Sequence, residues 1–207
     1  NGRTETVRAY ITGGSGDTTA VLNLGAGGNL TVTHNIMTGA GLPGHQDTTY
    51  YGKITGTGNI TYNHSANSQG NWDWYNTTSD FTGNVTITSG RLRAQEATLG
   101  NAGNDLIFNG DVVATLGNGQ GKASLQQTSG ANMTLNSGRT ITLNTGKEGT
   151  LYTWGGFTMQ VDGQITGGGN LRKEDGGVLL LNNTGNNYGG VTKVILGEIR
   201  SGAAGVL

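Results

Sequence analysis

The sequence predicts an all-β fold of the parallel β-solenoid type, and three observations on its 207 residues lead to that prediction. Its 40 glycines follow no strict three-residue period and it has only one proline, which excludes collagen. β-branched and other apolar residues recur in short runs of strand length, and none has the apolar stripe of a helix. Several segments are repeated imperfectly along the chain, as expected of a solenoid.

The predicted strands are separated by clusters of Gly, Asn and Asp, which tolerate the positive φ of tight turns. Two longer stretches, 35–51 and 64–76, are predicted as loops, and no significant helix is predicted. The predicted strands span residues 5–12, 20–24, 30–33, 53–55, 59–62, 84–88, 91–94, 106–109, 112–116, 123–127, 133–136, 139–144, 150–154, 157–161, 170–173, 178–181 and 191–196.

Internal repetition gives the domain prediction. Residues 54–59 match residues 165–170, and residues 81–93 match residues 188–200. We therefore treat 1–207 as a single β-solenoid segment with imperfect repeats at 54–100 and 165–207, and expect it to be part of a longer protein. Solenoid repeats of about 20–45 residues would give roughly 5–10 coils. The side chains predicted to face the core include Val85, Ile87, Leu179, Leu181 and Val194.

Composition excludes several classes of partner and chemistry. Net charge is −1 and charged residues make up 12% of the chain, so nothing indicates binding to nucleic acid. No apolar run approaches the roughly 20 residues of a spanning helix, so no direct membrane insertion is predicted for this segment. The chain has no cysteine, which excludes disulfides, thiolate metal sites and cysteine nucleophiles.

The C-terminal segment resembles a known family. Gly-Gly-Asn-Leu-Arg-Lys, Gly-Gly-Val-Leu-Leu-Leu, Asn-Asn-Tyr-Gly-Gly-Val-Thr and Gly-Glu-Ile-Arg follow one another between residues 168 and 200. This order resembles the autotransporter-associated β-strand repeat of bacterial type V secreted and giant surface proteins. The resemblance is close over 165–207 and recognisable over 54–100, and it departs at 173–176. It implies a right-handed, single-stranded β-helix, secretion, and extracellular display at the outer membrane, and it carries no catalytic residues.

The candidate ligand-binding residues are Trp72, Asp73, Trp74 and Tyr75, in a stretch where the first repeat copy is longer than the second. Insertions in solenoids often form loops on the binding face. The two tryptophans could form an apolar platform for a sugar ring, with Asp73 accepting hydrogen bonds from its hydroxyls. The alternative is structural, since large aromatic side chains usually pack in a core.

Other combinations of residues give weaker signals. His45 and Asp47 are too few ligands for a metal site, and His34 and His64 add no matching spacing, so no metal or cofactor is predicted. The carboxylate pairs that are nearest in sequence do not occupy repeated positions with basic or aromatic residues beside them. This argues against glycosidase chemistry, which needs two carboxylates that face one cleft. Those pairs are Asp73 with Asp80, Asp105 with Asp111, and Glu174 with Asp175.

Together these observations predict a structural and adhesive scaffold module of a bacterial cell-surface protein, which is not an enzyme. Its predicted partners are cell-surface or matrix glycans or proteins, or copies of itself stacked end to end into a filament. The competing hypothesis is a polysaccharide-degrading lyase or hydrolase on the same scaffold. Turnover of a polysaccharide would discriminate between the two.

Overall fold

The computed structural model describes residues 4–7, 21–34, 48–64, 71–112, 122–128 and 130–206. In these residues the protein is all-β, with one short 3-10 helix at Glu96–Thr98. Apart from one isolated antiparallel bridge, Gly110 to Glu148, all the described strand pairings are parallel. No helix among the described residues has the length and apolar character needed to cross a membrane.

The strands stack in three parallel ladders. The first contains β1 (Thr4–Val7), β2 (Val21–His34), β4 (Lys53–His64), the first half of β6 (Val85–Ala94), β7 (Leu106–Phe108), β10 (Ile141–Leu143) and β13 (Ile165–Gly167). The second contains β3 (Thr48–Tyr50), β5 (Asn71–Trp74), the second half of β6, β8 (Ala123–Gln127), β11 (Glu148–Tyr152), β14 (Asn170–Glu174) and β16 (Thr192–Val194). The third contains β9 (Met133–Leu135), β12 (Thr158–Val161), β15 (Val178–Leu181) and β17 (Glu198–Ser201).

The chain visits the ladders in rotation. From β10 to β15 it passes through the first, second and third ladder twice in that order, and β16 and β17 add to the second and third. Neighbouring strands of a ladder are therefore about 20–35 residues apart in sequence. Because β6 runs from the first ladder into the second, these two ladders form one curled 13-stranded sheet, and the third is a separate four-stranded sheet.

The core consists of apolar side chains that occupy the same position in successive strands. Because side chains alternate between the faces of a strand, an in-register parallel stack places one apolar row on the inner face. In the first ladder this row is Leu30, Ile60, Val85, Leu106, Ile141 and Ile165, none more than 4% exposed. Leu92, Leu125 and Leu151 form the corresponding row in the second ladder, and Met133, Met159 and Leu179 in the third.

Four of the five side chains predicted to face the core are buried. Val85, Ile87 and Leu179 are 0% exposed, as is Leu181. The prediction for Val194 is wrong, since this side chain is 50% exposed. Val194 continues the core row of the second ladder beyond Lys173, but β16 is the last strand of that ladder among the described residues. Its side chain is therefore covered on one side only.

Two predicted turns lie inside continuous strands. Residues 25–29 and 56–58 were expected to end strands, but they belong to β2 and β4. Gly25 and Gly56 have φ of 70° and 93°, and the pairing shifts register after Asn23 without ending. Glycine bends the chain here and lets the backbones approach closely. A Cβ on Gly58 would lie 2.0 Å from the carbonyl oxygen of Gly28.

One predicted loop is also a strand. Residues 71–74, expected within the 64–76 loop, form β5 and pair with β3 and β6 in the second ladder. In the predicted loop 35–51, residues 48–50 form the strand β3. Its residues 35–47 lie outside the described residues. Most of the predicted strands 5–12 and 112–116 also lie outside them.

The two matched sequence segments occupy different ladders. Leu92 of the first copy lies in the second ladder, whereas its match Ile199 lies in the third. The cause is β6, which is one continuous strand across two ladders, while the second copy divides into β16 and β17. Two segments of similar sequence therefore place matching residues in different ladders.

Candidate functional site

The segment predicted to bind a ligand is largely packed in the core. Trp72 pairs with Leu92 and thereby joins the inner row of the second ladder. Trp72, Asp73 and Trp74 are 3%, 5% and 0% exposed. The ring centroids of Trp72 and Trp74 are 5.2 Å apart, and those of Trp74 and Phe81 are 5.8 Å apart. This burial favours the structural alternative for both tryptophans.

The polar members of that segment also have internal partners. The Asp73 carboxylate accepts two hydrogen bonds from the guanidinium of Arg93. Tyr75 is 39% exposed and stacks on Tyr51 with a centroid separation of 5.3 Å. Ligand binding by residues 72–75 stays a prediction, and Tyr75 is the member of the four with an exposed ring.

The structure brings together a different group of polar residues, on the outer side of the second ladder. These side chains alternate along their strands with the buried core row, so they point away from it. We call this set the polar face. It consists of Asp73, Arg91, Arg93, Lys122, Ser124, Gln126, Glu148, Thr150, Tyr152, Arg172, Glu174 and Lys193.

A buried ionic network links three strands of the polar face, β11, β14 and β16, with Lys122, the residue directly before β8. The Lys193 ammonium lies 2.6 Å from Glu148, and the Arg172 guanidinium contacts Glu148 at 3.5 Å and Glu174 at 2.6 Å. The ammonium of Lys122 also contacts the Glu174 carboxylate, so it belongs to the same network. Lys122, Glu148 and Arg172 are each 2% exposed. Loss of one partner would leave an uncompensated buried charge, which typically costs about 3–5 kcal/mol.

Arg91 interacts with an aromatic ring. Its guanidinium carbon lies 4.1 Å from the ring centroid of Tyr152, a cation–π geometry, and no carboxylate pairs with it among the described residues. Burial raises the pKa of the Tyr152 hydroxyl, because the phenolate is poorly solvated there. Trp154 packs edge-on against Tyr152 at 6.3 Å. All three side chains are half-buried and reach the surface.

Uncharged side chains next to this group have free hydrogen-bonding atoms. Ser124 Oγ, Thr150 Oγ1 and both amide atoms of Gln126 have no hydrogen-bond partner in the described part of the chain. The three residues are at most 1% exposed. Buried polar groups are nearly always hydrogen-bonded, so a cluster of exceptions is unusual.

The predicted carboxylate pairs are engaged elsewhere. Asp80 pairs with Lys53 at 2.6 Å, and this hydrogen bond lowers the pKa of the Asp80 carboxyl. Asp111 pairs with Lys147 at 2.7 Å. Asp105 accepts the backbone N–H of Thr140, and Asp175 accepts that of Gly176.

Two of the three histidines lie in described strands. His34 and His64 occupy paired positions of β2 and β4, whereas His45 and Asp47 lie outside the described residues. Within the described ranges, no group of three or more His, Asp or Glu side chains could hold a metal ion.

Comparisons with protein-family models, curated proteins and solved structures found no match. The family stays a prediction. The likeness to the autotransporter-associated β-strand repeat therefore depends on the residues quoted above.

The polar face was missed by sequence reasoning because its members are far apart in the chain. Lys122 and Glu174 are 52 residues apart, and stacking of the strands alone brings them into contact. A local signal was present in charged residues spaced by two, as in Arg91 with Arg93 and Arg172 with Glu174. That spacing places both side chains on one face of a strand.

Proposed function

We propose that this chain is a structural and adhesive scaffold module, a section of a right-handed parallel β-helix displayed extracellularly on a bacterial cell surface. The observation that carries the proposal is the in-register stacking of three parallel ladders. Within a ladder, most strands add one residue to the same apolar row as the neighbouring strand of that ladder, as in Ile141 with Ile165, Met159 with Leu179 and Leu92 with Leu125. Such stacks distribute stability along a rod and leave the outer faces free for contacts.

The rotation of the chain through the three ladders supports the β-helix. A solenoid requires each strand to pair with the strand one circuit away, and β10 to β17 follow that rule. The right-handed sense and the surface location come from the resemblance to the autotransporter-associated repeat. The absence of cysteine is consistent with that location, because such passenger domains cross membranes unfolded.

Adhesion agrees better with the structure than catalysis. The carboxylates of the polar face, Asp73, Glu148 and Glu174, are each paired with arginine or lysine. A hydrolase needs one carboxyl group free to donate a proton and a second to act as nucleophile or base. The ion pairs occupy oxygens of these carboxylates, which a substrate or an attacking water would have to reach.

Association with copies of itself, stacked end to end, is a second candidate mode of contact. A parallel ladder can be extended by pairing a further strand with its edge, and that strand can come from the same chain or from a second copy. Fibres whose formation depends on protein concentration would support the second source.

Two measurements test the proposal. Antibodies against this segment should label intact cells of the source organism, and label should be lost after mild external proteolysis. The purified protein should adhere to surfaces coated with matrix glycans or proteins while leaving a panel of polysaccharides uncleaved. Release of reducing ends or unsaturated uronates by the protein, lost in Asp73→Asn or Asp80→Asn, would refute the scaffold function.

A further inference from the structure

A row of threonine side chains runs along the first ladder. It has one member in each of six neighbouring strands, and in-register pairing joins each member to the next. The six members are Thr31, Thr61, Thr86, Ile107, Thr142 and Thr166. Consecutive members are about 20–35 residues apart in the sequence, so only the stacking of the strands brings them together. We call this set the threonine row.

The threonine row lies on the solvent side of the sheet. Its members alternate along their strands with core residues, and successive side chains of a strand point to opposite faces. Thr142, for example, lies between Ile141 and Leu143, which are both 0% exposed. All six members of the row are partly exposed. A ligand in solvent can therefore reach the row along its whole length.

Neighbouring side chains hold the row in a regular arrangement. On one side the Asn59 amide donates to Asn29 Oδ1 at 3.1 Å, and on the other the Asn144 amide donates to Asn109 Oδ1 at 3.0 Å. The register shifts of β2 with β4 and of β4 with β6 fall outside the row. The six positions thus form an unbroken line with the ladder spacing of about 4.8 Å, or roughly 24 Å in all.

The threonine row is uncharged, which limits the kinds of ligand it can bind. Of the described side chains two positions before or after its members, that of Asp105 alone is charged, and it accepts the backbone N–H of Thr140. A charged polymer or an ionic mineral would find no line of counter-charges here. The row therefore suits a neutral ligand.

The regular spacing favours a ligand that has a lattice of its own. A small molecule would contact one or two threonines, whereas a crystal surface of matching period contacts all of them. The strand spacing of about 4.8 Å is close to the shorter in-plane repeat of hexagonal ice. Threonine hydroxyls both donate and accept hydrogen bonds, as the water molecules of that lattice do. Aromatic rings, which suit the C–H faces of sugars in a crystalline polysaccharide, are absent from the row.

We infer that the threonine row binds the surface of ice. The five hydroxyls join the hydrogen bonds of the outermost water layer, and the threonine methyl groups and Ile107 fill gaps between its oxygens. Little conformational entropy is lost on binding, because β-branched side chains are already confined to few rotamers. The inference goes beyond the proposed adhesive function, since it depends on the first ladder alone and not on where the protein is displayed.

The test is uptake of the purified protein into ice that grows slowly from a stirred, dilute solution. The fraction of the protein in the ice is measured after partial freezing. We expect the wild type to be incorporated, because a solute without affinity for ice stays in the liquid. Thr86→Tyr places a ring in the middle of the row and should abolish incorporation, and Thr142→Tyr should do so from a second strand. Tyrosine favours strands, so both variants should keep the fold, which circular dichroism checks.

Thr134→Tyr is the matched control. Thr134 is exposed on the outer face of the third ladder, where its row continues through Gln160, Leu180 and Arg200 without a repeated group. This variant should enter ice as the wild type does. Exclusion of a folded wild type from ice would overturn the inference, as would full incorporation of a folded Thr86→Tyr or Thr142→Tyr, or equal loss in all three variants.

Other occupants of the face would give different results. Exclusion from ice together with retention on crystalline cellulose would overturn the inference in favour of a polysaccharide surface. Exclusion from ice together with a dimer that Thr86→Tyr dissociates would overturn it in favour of a second copy. The scaffold proposal would stand in each case, because it depends on the cell-labelling and adhesion measurements.

Discussion

Lys173 occupies the core position that Leu151 fills one strand earlier in the second ladder, and both side chains are 0% exposed. The Lys173 ammonium donates to the backbone carbonyls of Glu174, Asp175 and Leu196. Burial lowers the pKa of Lys173 from 10.5 to about 8, because the charged amine loses hydration that the carbonyls only partly replace.

This lowered pKa predicts a stability that rises with pH. Between pH 8 and 10.5 the folded protein binds fewer protons at Lys173 than the unfolded chain does, so alkali favours the folded state. From pH 7 to pH 9.5 the gain should be about 2 kcal/mol. Urea unfolding at both pH values measures it, and Lys173→Met should lack the gain. A wild-type gain no larger than that of the variant would contradict the prediction.

The Glu96–Arg139 pair should be strongly stabilising. The Arg139 side chain is 0% exposed, contacts Glu96 at 2.8 Å and donates to the carbonyl oxygen of Asn104 at 2.6 Å. Glu96→Gln leaves this buried guanidinium without a counter-charge, so the free energy of unfolding should fall by about 3 kcal/mol. For a chain of this length that is roughly 6–12 °C in melting temperature. Glu198→Gln breaks an exposed pair and should change the melting temperature little. Equal effects of both changes would contradict the prediction.

Gly149 should not tolerate a methyl group. It lies between Ala123 and Leu171 in the second ladder, and a Cβ there would lie 2.6 Å from side-chain atoms of Phe108 and Leu143. Gly149→Ala should cost about 1–3 kcal/mol through overpacking. Gly155→Ala is the control, because a Cβ at Gly155 meets no atom within 4 Å. Differential scanning calorimetry of both variants compares them, and a neutral Gly149→Ala would show that the core relaxes at this point.

Trp74 should matter for folding, and Tyr75 should not. Trp74 is 0% exposed and packs between Trp72 and Phe81, so Trp74→Ala should cost about 3–5 kcal/mol. Tyr75→Ala removes a ring that is 39% exposed and should cost less than about 1 kcal/mol. Chemical denaturation measures both. Comparable losses in the two variants would mean that the Tyr51–Tyr75 stack carries more of the stability than its exposure indicates.

The sequence allowed the strands to be predicted better than their connections. Period-two alternation identified Leu179 and Leu181 as core residues, since burial of alternate side chains leaves a local pattern. The predicted turn at Gly56 and the predicted loop at Trp72 were wrong, because both residues lie within strands. Glycine signals both turns and close backbone approach, and aromatic residues near polar ones occur in loops and in strands alike.

The polar face was beyond local reasoning for a different reason. Arg172 and Glu174 could be assigned to one side of a strand, but whether that side faced solvent depended on the rest of the fold. Contacts such as Lys193 with Glu148, 45 residues apart, follow from the lengths of the circuits between strands. Those lengths vary and leave no fixed period in the sequence.

The rotation through three ladders also permits the chain to fold one circuit at a time. Each strand from β12 to β17 pairs with a strand that precedes it in the sequence by one circuit. During synthesis from the amino end, the earlier strand is therefore available for pairing before the later one has been made. A chain released amino end first can therefore add circuits one by one, each new circuit using the previous one as its edge. Assembly in that direction needs no contact with sequence that has yet to appear.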